Sequence, residues 1–269
     1  LALAARYGRA LPAGYIEDAT PAIAATDVER LAALRGDDDL QLSLQRAAGA
    51  RAGEDALRFK LYRNGSDIAL SDALPMMENM GLRVLAEHPY EMDVAGSLIS
   101  IQDFEIAFPE DVDVDLEVSH RFFEEAFEAV WRGRAESDGF NRLIIGARLF
   151  WREVAVLRAY AKYLQQVGTP FSQSYIEQTL NRYPVLARLL IEVFQAKFDP
   201  ARTTESTEDA QRWQGVLERA MGRLSRTDVE RAQIPALVAA RGKSSADFEL
   251  AIVDAVKALL EEVGSLDED

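Results

Sequence analysis

Leu57-Arg58-Phe59-Lys60-Leu61-Tyr62 places apolar and polar side chains at alternate positions. A period of two is what a β-strand with one covered face requires. Leu40-Gln41-Leu42-Ser43-Leu44 shows the same alternation upstream, across a loop rich in Gly and Ala. Downstream, Asn64-Gly65 supplies residues that tolerate positive φ, so a tight turn is predicted there. Ser71 is the expected cap of a short helix over Asp72–Met80, with Pro75 in its first turn and Gly81 just past its end. Two more strands follow, Leu82–Tyr90 and Ser97–Phe108, the latter alternating at Ile99-Ser100-Ile101. In the other direction, the stripe Ile23, Val28, Leu31 and Leu34 predicts a helix over Ala22–Leu34, capped by Thr26 or Asp27 and ended by Gly36. Residues 1–20, with Gly8, Pro12 and Gly14, read as an irregular lead-in.

The order is therefore helix, strand, strand, helix, strand, strand. Moving the last strand to the front gives βαββαβ, the ferredoxin-like plan that ACT-type regulatory domains share. From Asp111 onward the pattern turns helical. The helix Leu116–Trp131 carries Phe122, Phe123, Phe127, Val130 and Trp131 on its apolar side, and Asp113 and Asp115 stand where a helix N-terminus favours negative charge. Phe140–Tyr160 reads as one long buried helix whose stripe, Leu143, Ala147, Phe150, Val154, Leu157, Ala161 and Leu164, packs on neighbouring helices. Gly168-Thr169-Pro170 breaks it, Ser174 and Glu177 fit a capping box for the next helix, and Tyr183-Pro184 ends that one before Val185–Phe198. Residues 200–208 read as a linker, with further helices near Glu208–Leu224 and Ser245–Val263. The expected fold class is α+β, a circularly permuted ferredoxin-like, ACT-type sandwich followed by an all-α helical domain. The expected division is a lead-in at 1–20, the ACT-like domain at 21–110, a helical domain at 111–200 and a helical connector at 201–269.

With 269 residues and 48% hydrophobic residues, the chain can bury two cores. Its formal net charge of −15 argues against binding nucleic acid or anionic lipid, both of which need clustered Lys and Arg. The absence of Cys removes disulfides and thiolate chemistry and suits a reducing cytoplasm. The best apolar run, Leu143–Trp151, is broken by Arg148 and falls short of the ~20 residues of a membrane span. Both ends read as cut, so the chain reads as a piece of a larger protein.

A dinucleotide site needs a Gly-rich strand-to-helix turn, because only Gly lets the backbone approach a pyrophosphate. The 16 glycines are scattered, and neither G-x-G-x-x-G nor the Walker pattern occurs. No catalytic, cofactor-binding or metal residues are expected: His120, between Glu117 and Glu124 on one helical face, lacks the further ligands a metal needs and reads as a solvated or salt-bridged side chain. Met76, Met77 and Met80 read as packing of their helix on the sheet. One charged feature stands out. On a helical wheel Arg148, Arg152, Arg158 and Lys162 gather opposite the apolar stripe. That face is either an ion-pairing surface for the acidic helix Glu117–Glu128 or an anion site.

Two stretches carry a resemblance. One runs from Leu70-Ser71-Asp72-Ala73-Leu74-Pro75-Met76-Met77-Glu78-Asn79-Met80-Gly81 to Glu87-His88-Pro89-Tyr90-Glu91. The other runs from Gly139-Phe140-Asn141-Arg142 through Trp151-Arg152-Glu153 and Phe171-Ser172-Gln173-Ser174-Tyr175 to Phe198-Asp199-Pro200. Both resemble the segment preceding the catalytic domain in the large bacterial NAD-specific glutamate dehydrogenases. The resemblance implies a parent enzyme that oxidises L-glutamate to 2-oxoglutarate and ammonium with NAD. It implies that this chain holds no cofactor and is inactive alone, its partners being a downstream catalytic domain of the same polypeptide, further copies in a homo-oligomer, and an amino-acid effector. It also implies a cytoplasmic protein of glutamate catabolism. Two other readings share the fold: a free-standing ACT-like amino-acid-sensing module and a purely structural oligomerisation segment.

Overall fold

The computed structural model describes residues 2–36, 39–47, 57–65, 68–108, 116–198 and 215. They divide into two compact units, one ending at Asn141 and one beginning at Arg142. The linker and the two helices expected beyond residue 200 lie outside the described residues, as do Asp113 and Asp115.

The first unit opens on three helices, α1 (Ala2–Tyr7), α2 (Ala13–Asp18) and α3 (Pro21–Ala33). The lead-in is thus helical, not irregular: Pro12 takes extended backbone ahead of α2, and Tyr7 and Tyr15 are buried. Helix α3 is capped by Thr20, whose hydroxyl accepts the Ile23 N–H at 3.4 Å. The expected caps, Thr26 and Asp27, instead lie inside the helix.

Strands β1 (Leu40–Arg46), β2 (Leu57–Asn64), β3 (Arg83–Val94) and β4 (Ser97–Ala107) form one antiparallel sheet in the order β1-β2-β4-β3. Between β2 and β3 runs α4 (Leu70–Asn79). It starts a residue earlier than Ser71, with Ala69 at its cap, and Pro75 sits within it rather than in its first turn. Gly81 does close it: at φ 86 it donates to Glu78 O, and Leu82 donates to Met77 O, the paired bonds of a Schellman end. Ala95 and Gly96, both at positive φ (58 and 85), make the two-residue turn between β3 and β4.

After β4 comes α5 (Leu116–Trp131). Phe123 and Phe127 meet the β2 ring of Phe59 edge-on, with centroids 4.9 and 5.0 Å away. This helix therefore belongs to the sheet's unit, not to a helical domain starting at 111. It also changes how the ferredoxin-like plan is filled. Taking β4 as the first strand, the first crossover helix is α5 and the second is α4. Helix α3 is additional. It covers the opposite face of the sheet, where Tyr7, Tyr15 and Leu31 pack with Tyr62, Tyr90, Met92, Val94, Ile99 and Ile101. Both faces of the sheet are covered.

The second unit holds α6 (Leu143–Gly146), α7 (Trp151–Gln166), α8 (Gln173–Arg182) and α9 (Pro184–Phe198). The single long helix expected over Phe140–Tyr160 is instead a 3₁₀ turn at Gly139–Arg142, the short α6, a non-helical link and the start of α7. Arg148 adopts φ 52, which no α-helix accommodates. The link is held in place: Phe150 N–H donates to Glu153 Oε2 at 2.7 Å, and Arg188 Nη1 donates to Arg148 O at 3.0 Å. Helix α8 is capped by Ser172, whose Oγ accepts the Tyr175 N–H at 3.1 Å, rather than by Ser174. No helix among the described residues is long and apolar enough to cross a membrane.

Candidate functional site

Alternation in β2 sends Phe59 and Leu61 toward α5 and Arg58, Lys60 and Tyr62 toward α3. Register completes the charged side: Lys60 stands opposite Asp103 of β4 and Ser43 of β1, and Gln45 stands opposite Arg58. On an open sheet these polar residues would meet water. Here α1–α3 cover them, leaving Asp27, Lys60 and Asp103 with 0, 2 and 4% of their surface exposed.

Asp27 is the centre. Its Oδ2 accepts the Tyr15 hydroxyl at 2.5 Å and lies 2.6 Å from Lys60 Nζ, while its Oδ1 accepts the Tyr62 hydroxyl at 2.7 Å. Lys60 Nζ also reaches Asp103 Oδ2 at 3.3 Å. Arg58 grips the same carboxylate with two nitrogens, Nε 2.9 Å from Oδ1 and Nη2 donating to Oδ2 at 3.1 Å. A buried charge is tolerated only when it is paired, and these carboxylates and cations pair with one another. Burial first, and the neighbouring Asp27 carboxylate second, push the Tyr15 and Tyr62 hydroxyls far above the usual phenol range. Tyr90, whose hydroxyl donates to Asp18 Oδ2 at 2.7 Å, is raised by burial and then by that carboxylate. All three phenols act as hydrogen-bond donors and not as acids. The arrangement can fasten a helix to a sheet and present fixed polar groups.

Beside the network lies a cavity of about 180 Å³ whose lining includes Tyr15, Asp18, Gln45, Arg58, Tyr90 and Asp103. Gln45 Nε2 is buried with no hydrogen-bond partner among the described residues.

The four cations expected to share one face are distributed differently. Arg148 lies in the link before α7, outside any helix. On α7 itself Arg158 is buried, while Arg152 and Lys162 are exposed, the Arg152 guanidinium stacking 4.3 Å from the Trp151 ring centroid. The wheel assumed an unbroken helix, and the break at Arg148 separates its members. Asp27, Lys60, Asp103 and the tyrosines were missed because charged residues at alternate strand positions read as a solvent face. The available signal was the match of opposite charges in register, Lys60 against Asp103, together with an acid at mid-helix in α3. Met76 and Met77 of α4 and Met80 just past its end are buried, as expected.

Comparison with known proteins gives the family. Residues 1–34 match the glutamate dehydrogenase helical motif 2, residues 39–119 the glutamate dehydrogenase ACT3 domain, and residues 135–200 the glutamate dehydrogenase helical motif 3. The NAD-specific glutamate dehydrogenase of Halomonas elongata is 43% identical over 199 residues, 74% of this chain and 12% of its own length. That of Pseudomonas aeruginosa is 39% identical over 228 residues, 84% of this chain and 14% of its own. That of Mycobacterium tuberculosis is 36% identical over 215 residues, 77% of this chain and 13% of its own. The chain therefore spans a small part of the length of these relatives. Three matched regions in the same order as the helices, sheet and helices described above, with long alignments to three relatives, show that the chain belongs to the NAD-specific glutamate dehydrogenase family.

Proposed function

We propose that this chain is a non-catalytic regulatory and assembly segment of an NAD-dependent glutamate dehydrogenase. The parent reaction converts L-glutamate, NAD and water to 2-oxoglutarate, ammonium and NADH. The observation that carries the reading is the use of charge in the sheet-bearing unit. Its buried ionic groups, Asp27, Lys60 and Asp103, and the half-buried Arg58 are bound to one another. A scaffold arranged this way transmits or receives a signal as a rigid body and leaves hydride transfer to another part of the polypeptide. The ACT3 match supports the regulatory side, and the helical motifs on either side support an assembly role. NAD is then a cofactor of the parent enzyme, its downstream catalytic domain and further copies of the chain are the partners, and the cytoplasm is the compartment.

The test is the activity of the purified 269-residue chain. Glutamate-dependent reduction of NAD, followed by NADH absorbance, is expected to be absent at any protein concentration. Turnover that scales with the chain and persists after further purification overturns the proposal.

A further inference from the structure

We propose that the link between α6 and α7 is a two-state joint, latched in its bent form by α9 and able to close into one continuous helix when the latch is released. The link is Ala147, Arg148, Leu149 and Phe150. None of these is Gly or Pro, the usual residues at a sharp break, and Ala, Arg and Leu are good helix formers. Arg148 nevertheless takes φ 52, a conformation that a residue with a Cβ adopts at a cost. Local preference favours helix and the structure bends. Conflicts of that kind persist only where surrounding contacts impose them, and they collect in segments that switch.

The contacts that impose the bend come from α9 and from Glu153 in the first turn of α7. Arg188 Nη1 donates to Arg148 O at 3.0 Å, and Glu192 Oε1 holds the other end of that guanidinium at 2.6 Å. Glu153 Oε2 accepts the Phe150 N–H, while its Oε1 accepts Gln195 Nε2 of α9 at 2.5 Å. Each backbone group in this latch has a second partner in a continuous helix: Arg148 O would accept the Arg152 N–H, and the Phe150 N–H would go to Gly146 O. The apolar side exchanges as well. In the bent form Leu149 is fully buried and Phe150 is 38% exposed. At 100° per residue an unbroken helix turns Phe150 into the stripe of Leu143, Ala147 and Val154 and turns Leu149 away from it. One large apolar side chain replaces another, so the two forms differ mainly by the latch and the strain at Arg148. Arg188 keeps 41% of its side chain exposed, so an acidic group from outside the chain can compete for it. Because the second unit begins at Arg142, the joint sets the direction in which the chain enters that unit.

The absence of Cys from the 269-residue chain makes the test clean. Arg142→Cys and Gln165→Cys, both at exposed positions, carry a pair of spin labels, and pulsed electron paramagnetic resonance reads the distance between them. An unbroken helix would set the two backbones about 35 Å apart. The labelled parent is expected to show one dominant distance fixed by the bend, with the 35 Å form held to about a tenth or less. A hydrogen bond to a charged group shifts an equilibrium by about tenfold. Arg188→Met is therefore expected to raise the ratio of the 35 Å form to the bent one about tenfold, and Glu153→Ala to raise it likewise. Arg188→Lys, which keeps the charge and disturbs the fold least, is expected to fall between Arg188→Met and the parent. Arg148→Gly relieves the left-handed strain and weakens the helix, so adding it to Arg188→Met is expected to restore the bent distance. The proposal is overturned if Arg188→Met and Arg188→Lys both keep the parent distances, or if the variants give a broad spread with no 35 Å form, the mark of a link that frays. It is also overturned if Arg148→Gly leaves that form undiminished.

Discussion

Asp27 shows how much of this molecule hangs on one carboxylate. It is fully buried in the middle of α3 and accepts from Tyr15, Tyr62 and Lys60. Removing one member of a buried ion pair leaves the other charge unmet, which costs about 3–5 kcal/mol, whereas replacing both with apolar groups is often neutral. Asp27→Leu is therefore expected to lose about 3–5 kcal/mol in urea denaturation. Adding Lys60→Met to it is expected to recover part of that loss, and a double variant less stable than Asp27→Leu alone contradicts this account. The residue was invisible in the sequence for a definite reason. An Asp near the start of an apolar stripe is a common helix cap, and Thr26-Asp27 fits that rule. Only the sheet's second covered face turns the same Asp into an acceptor for three donors, and a local pattern carries no information about a face covered by residues 33 and 35 positions away, Lys60 and Tyr62.

Elements were legible where a local signal decides them and illegible where a contact does. The Gly81 end of α4, the alternation of β1 and β2 and the span of α5 follow from φ, period and apolar spacing, and all appear in place. The Phe140–Tyr160 stretch differs. Its stripe keeps helical phase through Leu143, Ala147, Val154, Leu157, Ala161 and Leu164, all buried, yet Phe150 is 38% exposed and Arg148 is left-handed. The break is fixed by Arg188 and Glu153, side chains of other turns, and so lies outside any wheel. Helix α5 adds a contact with a pH signature. Glu124 Oε1 accepts the Leu44 N–H of edge strand β1 at 2.9 Å, and Arg30 Nη2 is 3.7 Å from Oε2. Burial raises this carboxyl above its ordinary 4.5, outweighing the Leu44 bond, Arg30 and His120, which act in the opposite sense. The native state then binds the proton more tightly than the unfolded chain, so this group's contribution falls as pH rises from 4.5 through the raised value. Gln at 124 can still accept from Leu44 without ionising. In urea melts taken from pH 4.5 to neutrality, Glu124→Gln is expected to gain stability relative to the parent as pH increases. A difference that stays flat or shrinks shows that Glu124 is not held in this way.

At the scale of the whole molecule, the ACT-type plan was legible from element order alone, but the layer that completes it was not. The family regions meet between residues 34 and 39; the physical core does not divide there. Leu31 of α3 and the tyrosines at 7 and 15 pack with Tyr62, Tyr90, Met92, Val94, Ile99 and Ile101 of the sheet. Removing residues 1–34 would expose that apolar surface together with Lys60 and Asp103, stripped of the carboxylate that balances Lys60. Apolar burial contributes about 25 cal/mol per Å² and a single domain is stable by only about 5–15 kcal/mol, so a sheet lacking one of its two covers has no surplus to lose. The unit ending at Asn141 contains every partner named in this network. A fragment of residues 1–141 is therefore expected to unfold in urea as one cooperative transition, with tyrosine absorbance and far-ultraviolet dichroism coinciding. The fragment of residues 35–141 is expected to bind a hydrophobic dye and to show no sharp transition. A cooperative, dye-silent 35–141 fragment shows instead that the sheet and α4–α5 stand alone and that α1–α3 are an accessory layer.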